Sequence, residues 1–396
     1  VGKEKVLAQA KPTIVGIGET RLGEIPDRTA LQLQAMAARA AIADAGLRFA
    51  DIDGVVALPM RTHPTMMPAA TIAQYLGIAP DFVSTLDLAG ASGVAMIQTA
   101  AQALQSGACR YVLCVTGQNL LSRRSRDDAI RQMAEGGAAH AQFEVPYGPL
   151  IPSLYALVAQ RHMHEFGTTR AHMAEVAVAM RGHAARNPQA HKRVPITIDE
   201  VLAAAPVSSP FGVLDCSLVS DGAAAAIVTL ADRAADLRQP PVAALGFGQG
   251  LSHVHIGEAR TLTTTGALRS GRQAFAAAGL SPADVDVAML YDCFTITVLI
   301  ELEDLGFCAK GEGGDFVIDG RIRPGGALPV NTHGGLLSGG HPGLPGGFFH
   351  VTEAVRQLRG AAGPRQVPRA RIGLVHGNGG IIGMHATMLL GGPDAL

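Results

Sequence analysis

Residues 39–53 read RAAIADAGLRFADID and residues 272–286 read RQAFAAAGLSPADVD, matching without a gap at Arg, Ala, Ala, Ala, Gly, Leu, Ala, Asp and Asp. A chain that repeats itself this way must fold as two like units. Each copy reads as a helix closed by a glycine C-cap, Gly46 or Gly279, then a short turn and an apolar strand, GVVAL or VAMLY. The flanks repeat more loosely. A strand precedes each copy, TIVGIG from Thr13 and VAALGFG from Val242. A second glycine-opened helix and strand follow, Gly93 to Gly107 with YVLCVTG and Gly346 to Leu358 with RIGLVHG.

Strands alternating with helices through glycine-rich turns predict an α/β fold of two βαβ-type halves, with mixed sheets covered by helices. The alternation breaks between Gln118 and Val213, where helical segments at Leu154–Phe166 and His172–Ala185 precede an irregular run, RNPQAHKRVP. The expected organisation is therefore an N-terminal half of residues 1–117 and 214–240, an inserted loop or cap domain of 118–213, and a C-terminal half of 241–396. Active sites in such folds gather at the carboxyl ends of strands.

Composition narrows the function classes. Lys and Arg number 32 against 33 Asp and Glu, which gives no electrostatic reason to expect a nucleic acid or anionic membrane partner. Arg123, Arg124 and Arg126 form a local basic cluster, either a solvated loop or a contact for the phosphates of a coenzyme. Five cysteines without a Cys-x-x-Cys pair argue against a disulfide framework or a structural zinc site, and no metal ligand set is expected. The amino-terminal segment has no apolar signal core and no run spans a bilayer, so a soluble cytoplasmic protein is expected.

The duplicated halves resemble the thiolase superfamily, specifically its sterol-carrier-protein-like branch, often labelled lipid-transfer proteins. Beyond LDLAGASGVAMIQTAAQAL from Leu86, the resemblance rests on CSLVSDGAAAAIV from Cys216, YDCF from Tyr291, NTHGGLLSGGHPG from Asn331 and GNGGIIG from Gly377, in the family's order and across nearly the whole chain. It implies a duplicated thiolase fold layered α-β-α-β-α. It also implies a homodimer, with the helix after Gly90 and the strand YVLCVTG near the two-fold axis.

Two departures redirect the expected chemistry. Gly90 stands where the family's Cys-x-x-Gly carries its nucleophile, and Cys109, at the far end of the following helix, is roughly 20 Å away at about 1.5 Å rise per residue. The late Cys-x-Gly-Gly segment has become Gly377-Asn378-Gly379-Gly380. His341 is kept in its GHP segment, and Tyr291 replaces the family's Asn or His while Cys293 is retained. A serine hydrolase built on Ser92 is not supported, since Gly90-Ala91-Ser92-Gly93-Val94 lacks the Gly-x-Ser-x-Gly elbow; Ser92 reads as a helix N-cap.

Acyl transfer by thiolases needs a cysteine acyl-enzyme. Without it, a pocket that binds a coenzyme A thioester and holds its enolate can cleave a β-hydroxyacyl-CoA by retro-aldol chemistry. The resemblance implies steroid side-chain substrates, no bound cofactor, and a small zinc-ribbon/OB-fold partner. In the expected assignment Tyr291 handles the proton of the β-hydroxyl or carbonyl, His341 the enolate oxygen, and Cys293 the proton delivered to the α-carbon. The glycine-rich run at Gly334–Gly347 is suited to an oxyanion site. Gly340, Gly379, Gly380, Arg123 and Arg124 are the expected coenzyme contacts. The alternatives are a Claisen-type acyltransferase subunit of a complex and a non-catalytic acyl-CoA or lipid-binding protein.

Overall fold

The computed structural model describes residues 10–123, 128 and 139–395. The first unit carries β1 (Pro12–Glu19), α1 (Ala30–Ala45), β2 (Gly54–Ala57), α2 (Pro68–Leu76), β3 (Phe82–Thr85), α3 (Ser92–Gln105) and β4 (Val112–Asn119). The excursion that follows contains α4 (Ile151–Phe166), α5 (Arg170–Ala185) and a small hairpin of β5 (Pro206–Ser208) and β6 (Phe211–Gly212). The chain then returns as β7 (Asp221–Leu230) to pair with both β4 and β1. The second unit is β8 (Val242–Leu251), α6 (Ala267–Ala278), β9 (Val287–Met289), α7 (Thr295–Asp304), α8 (Gly346–Leu358), β10 (Ile372–Gly379) and β11 (Met384–Gly391).

Strand order makes the duplication visible. Across one sheet it runs β3-β2-β4-β7-β1-β8-β11-β10-β9, so β2, β4, β7 and β1 are mirrored by β9, β10, β11 and β8. Hydrogen-bond sense repeats too: β2 and β4 are parallel like β9 and β10, and β4 and β7 antiparallel like β10 and β11. The halves join through a short antiparallel contact, Thr13 to Ala243 and Ile14 to Val242. Gly46 and Gly279 both cap their helices in the left-handed region, at φ 76° and 66°.

The repeat extends to backbone contacts. A Cβ at Gly16 or at Gly246 would lie 2.3 Å from the carbonyl oxygen of Ala41 or Ala274, which are matching residues of the repeated helix. Glycine at these strand positions lets α1 and α6 lie directly on their strands.

Three apolar layers follow. One lies between α1, α2 and the first half-sheet, one between the second half-sheet, α6 and α7, and a central one buries α3 and α8 between the two half-sheets. This is the expected α-β-α-β-α arrangement. At its middle, a Cβ on Gly93 of α3 would lie 2.7 Å from the Gly347 carbonyl of α8, so the two helix starts meet backbone to backbone.

This packing corrects one expectation. The helix after Gly90 is apolar on several sides because it is sandwiched within the chain, and YVLCVTG forms β4, buried between β2 and β7. The open edge of the first half is β3, with Val83 46% exposed. Among the described residues, no helix is long and apolar enough to cross a membrane.

Replacing Gly16 by Ala should push α1 off its strand and cost about 1–3 kcal/mol, the range for overpacking a filled interior. Denaturant unfolding measures this, and a loss below about 0.5 kcal/mol would show that the helix has slack.

Candidate active site

Tyr291 stands just past the end of β9, where α7 begins. Its backbone is held on both sides by that helix: its N–H donates to Glu301 Oε2 at 2.9 Å, and its carbonyl accepts from Thr297 Oγ1 at 2.9 Å. Its ring is thereby aimed at the start of α3. The phenol oxygen lies 3.1 Å from His341 Nε2, and His341 Nδ1 lies 2.9 Å from Ser217 Oγ. Ser220 Oγ accepts the His341 N–H at 3.2 Å, and the Ser217 N–H donates to the Cys293 carbonyl at 2.9 Å.

The electrostatics keep this chain of groups neutral. Burial raises the Tyr291 phenol well above its ordinary value, with the nearby Cys293, Asp292 and Glu301 adding to the shift. Desolvation holds His341 down at about 4, although the rim of the residue reaches the surface. At neutral pH the pair is a phenol beside an unprotonated imidazole. In the tautomer with Tyr291 as donor, His341 Nδ1–H donates to Ser217, so a proton leaving the phenol has a positioned base.

Gly90 borders the same ring. A Cβ there would sit 2.2 Å from Tyr291 Cζ, 2.4 Å from its hydroxyl oxygen and 2.2 Å from the Asn378 carbonyl. The position that the resemblance assigns to the nucleophile thus has no room for any side chain, and Tyr291 fills the space. At Gly377, aligned with the late cysteine, a Cβ would lie 2.8 Å from both Ala91 Cα and the Gly90 carbonyl oxygen.

Cys293 is buried beside these groups. Desolvation raises its thiol, with the nearby Tyr155 and Thr297 hydroxyls offsetting this only in part, so it stays protonated. Tyr155, from α4 of the excursion, donates to the Gly380 carbonyl at 3.0 Å and accepts from the Ile382 N–H at 3.3 Å. It ties the inserted segment to the GNGGIIG turn. Gly379 ends β10 in register with Met384, and Gly380 lies exposed at that turn with φ 67°.

The glycine-rich run behaves differently from its expected role. Asp292 accepts the N–H groups of Leu336 and Leu337 at 2.8 and 3.1 Å, those of Ser338 and Gly339 go to Gly334, and that of Gly340 goes to Gly335. The N–H groups of residues 336–340 are therefore spent on Asp292 or within the loop and are not free for an oxyanion. The run instead makes a tight turn around Asp292, whose carboxyl burial raises to about 8. Its glycines are required there: a Cβ at Gly335, with φ 61°, would lie 2.0 Å from Asp292 Oδ2.

Ser92 is likewise not an N-cap. It lies within the first turn of α3, fully buried, with Oγ accepting the Leu88 N–H at 2.8 Å. Arg123 is exposed at the end of a four-residue helix after β4, while Arg124 and Arg126 lie outside the described residues. The residues that sequence reasoning missed are Ser217, Tyr155 and Glu301. Ser217 sat inside a segment read only for its resemblance, and nothing in the local pattern around Tyr155 or Glu301 marked either.

Gly90→Ala should destabilise the protein by about 1–3 kcal/mol. In a Tyr291→Ala background the penalty should shrink without vanishing, since the Asn378 carbonyl remains. A double-mutant cycle on unfolding free energies tests this, and strictly additive effects would show that the ring does not occupy the space beside Gly90.

Comparison with known proteins agrees with this architecture. The chain matches the family description "Thiolase, N-terminal domain" over residues 10–232 and "Thiolase C-terminal domain-like" over residues 248–392. It is 35% identical over 378 residues to an acetyl-CoA acetyltransferase of Methanothermobacter thermautotrophicus, covering 94% of this chain and 97% of that protein. It is 38% identical over 365 residues to a steroid side-chain-cleaving aldolase of Thermomonospora curvata, covering 88% and 90%. A solved structure described as Ltp2-ChsH2(DUF35) aldolase superposes with a TM-score of 0.86 at 34% identity, covering 97% of this chain and 98% of that one. With both halves matched in order, the chain belongs to the thiolase superfamily, in its sterol-carrier-protein-like branch.

Proposed function

We propose that the chain is a lyase acting on coenzyme A thioesters, cleaving a β-hydroxyacyl-CoA of steroid side-chain type by a retro-aldol route in the cytoplasm. The observation that carries this reading is the Tyr291 ring lodged against Gly90 and paired with His341. A covalent acyl-enzyme has no place to form there, and a proton-handling pair stands in its stead. The similarity to an aldolase supports the same direction, whereas the similarity to an acetyltransferase does not supply a nucleophile.

The step balances without a covalent intermediate. The β-hydroxyl gives up its proton to the Tyr291–His341 pair, its oxygen becomes a carbonyl, and the bond to the α-carbon breaks. The electrons pass to the thioester as an enolate. The enolate collapses when an acid returns a proton to the α-carbon, a role open to the protonated Cys293 thiol. His341 thus works with Tyr291 rather than alone at the enolate oxygen. Ser217 holds its tautomer.

Residues 118–213 act as a cap in this reading, with Tyr155 as its contact to the site, between an N-terminal half of 1–117 and 214–240 and a C-terminal half of 241–396. Gly340, Gly379, Gly380 and Arg123, the last from an exposed position, are assigned to the coenzyme path. The exposed edge of β3 suits pairing with a second copy. The two-component name of the solved aldolase supports a partner protein, which in this reading is of the small zinc-ribbon/OB-fold type.

Tyr291→Phe should lower kcat by about 10²–10⁴-fold with little change in substrate affinity, and His341→Ala should be at least as damaging. The assay follows release of ketone and shortened acyl-CoA by mass spectrometry, with and without the partner. Intact-protein mass after acetoacetyl-CoA should show no acyl adduct. Wild-type turnover in Tyr291→Phe would remove the assigned role, and a stoichiometric adduct would return the chain to acyl transfer.

A further inference from the structure

Beside the Tyr291 backbone N–H, the fold assembles three residues that no local spacing connects. Glu301 comes from α7, His376 from β10 and His385 from β11, and all three are wholly buried. One ligand-capable atom from each lies within 4.8 Å of the others. His376 Nε2 is 2.9 Å from His385 Nδ1 and 4.0 Å from Glu301 Oε1.

The outer hydrogen bonds point both imidazoles inward. His385 Nε2 lies 3.1 Å from the Ile382 carbonyl oxygen, which can only accept, so that nitrogen carries the proton and Nδ1 presents its lone pair. His376 Nδ1 is 2.8 Å from Thr387 Oγ1, which is itself bonded to Ser270 Oγ. Such contacts to the outer nitrogen are how metal-ligating histidines are oriented. A hydrogen bond between the two rings would satisfy the imidazoles alone. It leaves Glu301 Oε1 buried with no hydrogen-bond partner; burial raises this carboxyl well above its ordinary value, and the adjacent Asn378 amide, which pulls it back only in part, completes no bond of good geometry to it. An unpartnered carboxyl oxygen in such a place is costly.

We propose that Glu301, His376 and His385 form a buried site for one borderline divalent cation of the Zn²⁺ or Co²⁺ class. Two nitrogens and one carboxylate oxygen are a ligand set such ions take. With bonds of about 2.0–2.1 Å, tetrahedral ligand atoms stand roughly 3.3 Å apart, so the rings separate by a few tenths of an ångström and Oε1 closes by somewhat more. Binding shifts the proton between the imidazoles to His376 Nδ1, which then donates to Thr387, and releases the proton of the Glu301 carboxyl to solvent. The ion's role is positional. It ties Oε1 of the same carboxylate whose Oε2 holds the Tyr291 N–H, fixing the strand end that carries the phenol.

The test uses the full-length protein, stripped by chelator and then titrated with Co²⁺ or Zn²⁺ alone. The expected result is one equivalent bound by elemental analysis, a visible Co²⁺ ligand-field band displaced by Zn²⁺, and a raised Tm. Glu301→Gln and His385→Gln should abolish the band. Thr387→Val, which keeps the volume of an outer contact, should weaken binding about 10–100-fold. No band and no Tm shift in the wild type, or a band that survives His385→Gln, overturns the proposal and leaves the trio a neutral hydrogen-bonded cluster. None of these readouts needs turnover, so failure of the lyase reading would leave them unchanged.

Discussion

Two helix starts meet backbone to backbone in the middle of this protein, and the site is shaped by how little room that contact leaves. Gly93 packs on the Gly347 carbonyl, a Cβ at Gly347 would reach within 2.5 Å of the Gly90 carbonyl, and the Tyr291 ring borders both Gly90 and Gly347. Because α3 and α8 are each clamped by a half-sheet, neither can retreat to admit a larger group. The tyrosine therefore sits in a space whose walls are main chain, which holds its hydroxyl to the geometry that meets His341.

The polar groups around that space are deeply buried and, for the most part, uncharged at neutral pH. His333 and His350 lie beside one another with their rings 5.0 Å apart, burial pushing both well down, His333 to about 3. Asp292, raised to about 8, is spent on two backbone N–H groups. A neutral, desolvated surround makes each remaining hydrogen bond count for more than it would in water, since no mobile dipoles compete for the same donors. The Tyr291–His341–Ser217 chain is where that advantage meets a ring edge reachable from outside.

How much of this could be read in advance follows from the range of each interaction. The duplicated helix, its glycine cap and its strand are local, so they were legible in residues 39–53 and 272–286. The absence of a nucleophile at Gly90 was legible too, but not the reason for it, because the group that excludes a side chain lies about two hundred positions along the chain. Ser217 meets His341 across 124 residues and Tyr155 meets Gly380 across 225. Periodicity carries no information at such separations. The glycine-rich run misled for a different reason: composition showed that its backbone could approach something closely, and only the fold showed that the something was Asp292.

The duplication is least faithful at its outer strands. In the first half β3 runs parallel to β2 for four residues and leaves its far side open, with Val83 and Thr85 facing out. In the second half the corresponding partner of β9 shrinks to one bridge, Ala288 to Val330, after which Asn331 turns at φ 54° and its side-chain amide carries on the ladder by bonding both the N–H and the carbonyl of Leu290. A side chain thus substitutes for a strand, releasing the following main chain to become the loop that ends at His341. The two copies of the repeat thus differ at this seam: one keeps a border where another strand could be annexed, and the other gives up its border for a loop that reaches the Tyr291 ring.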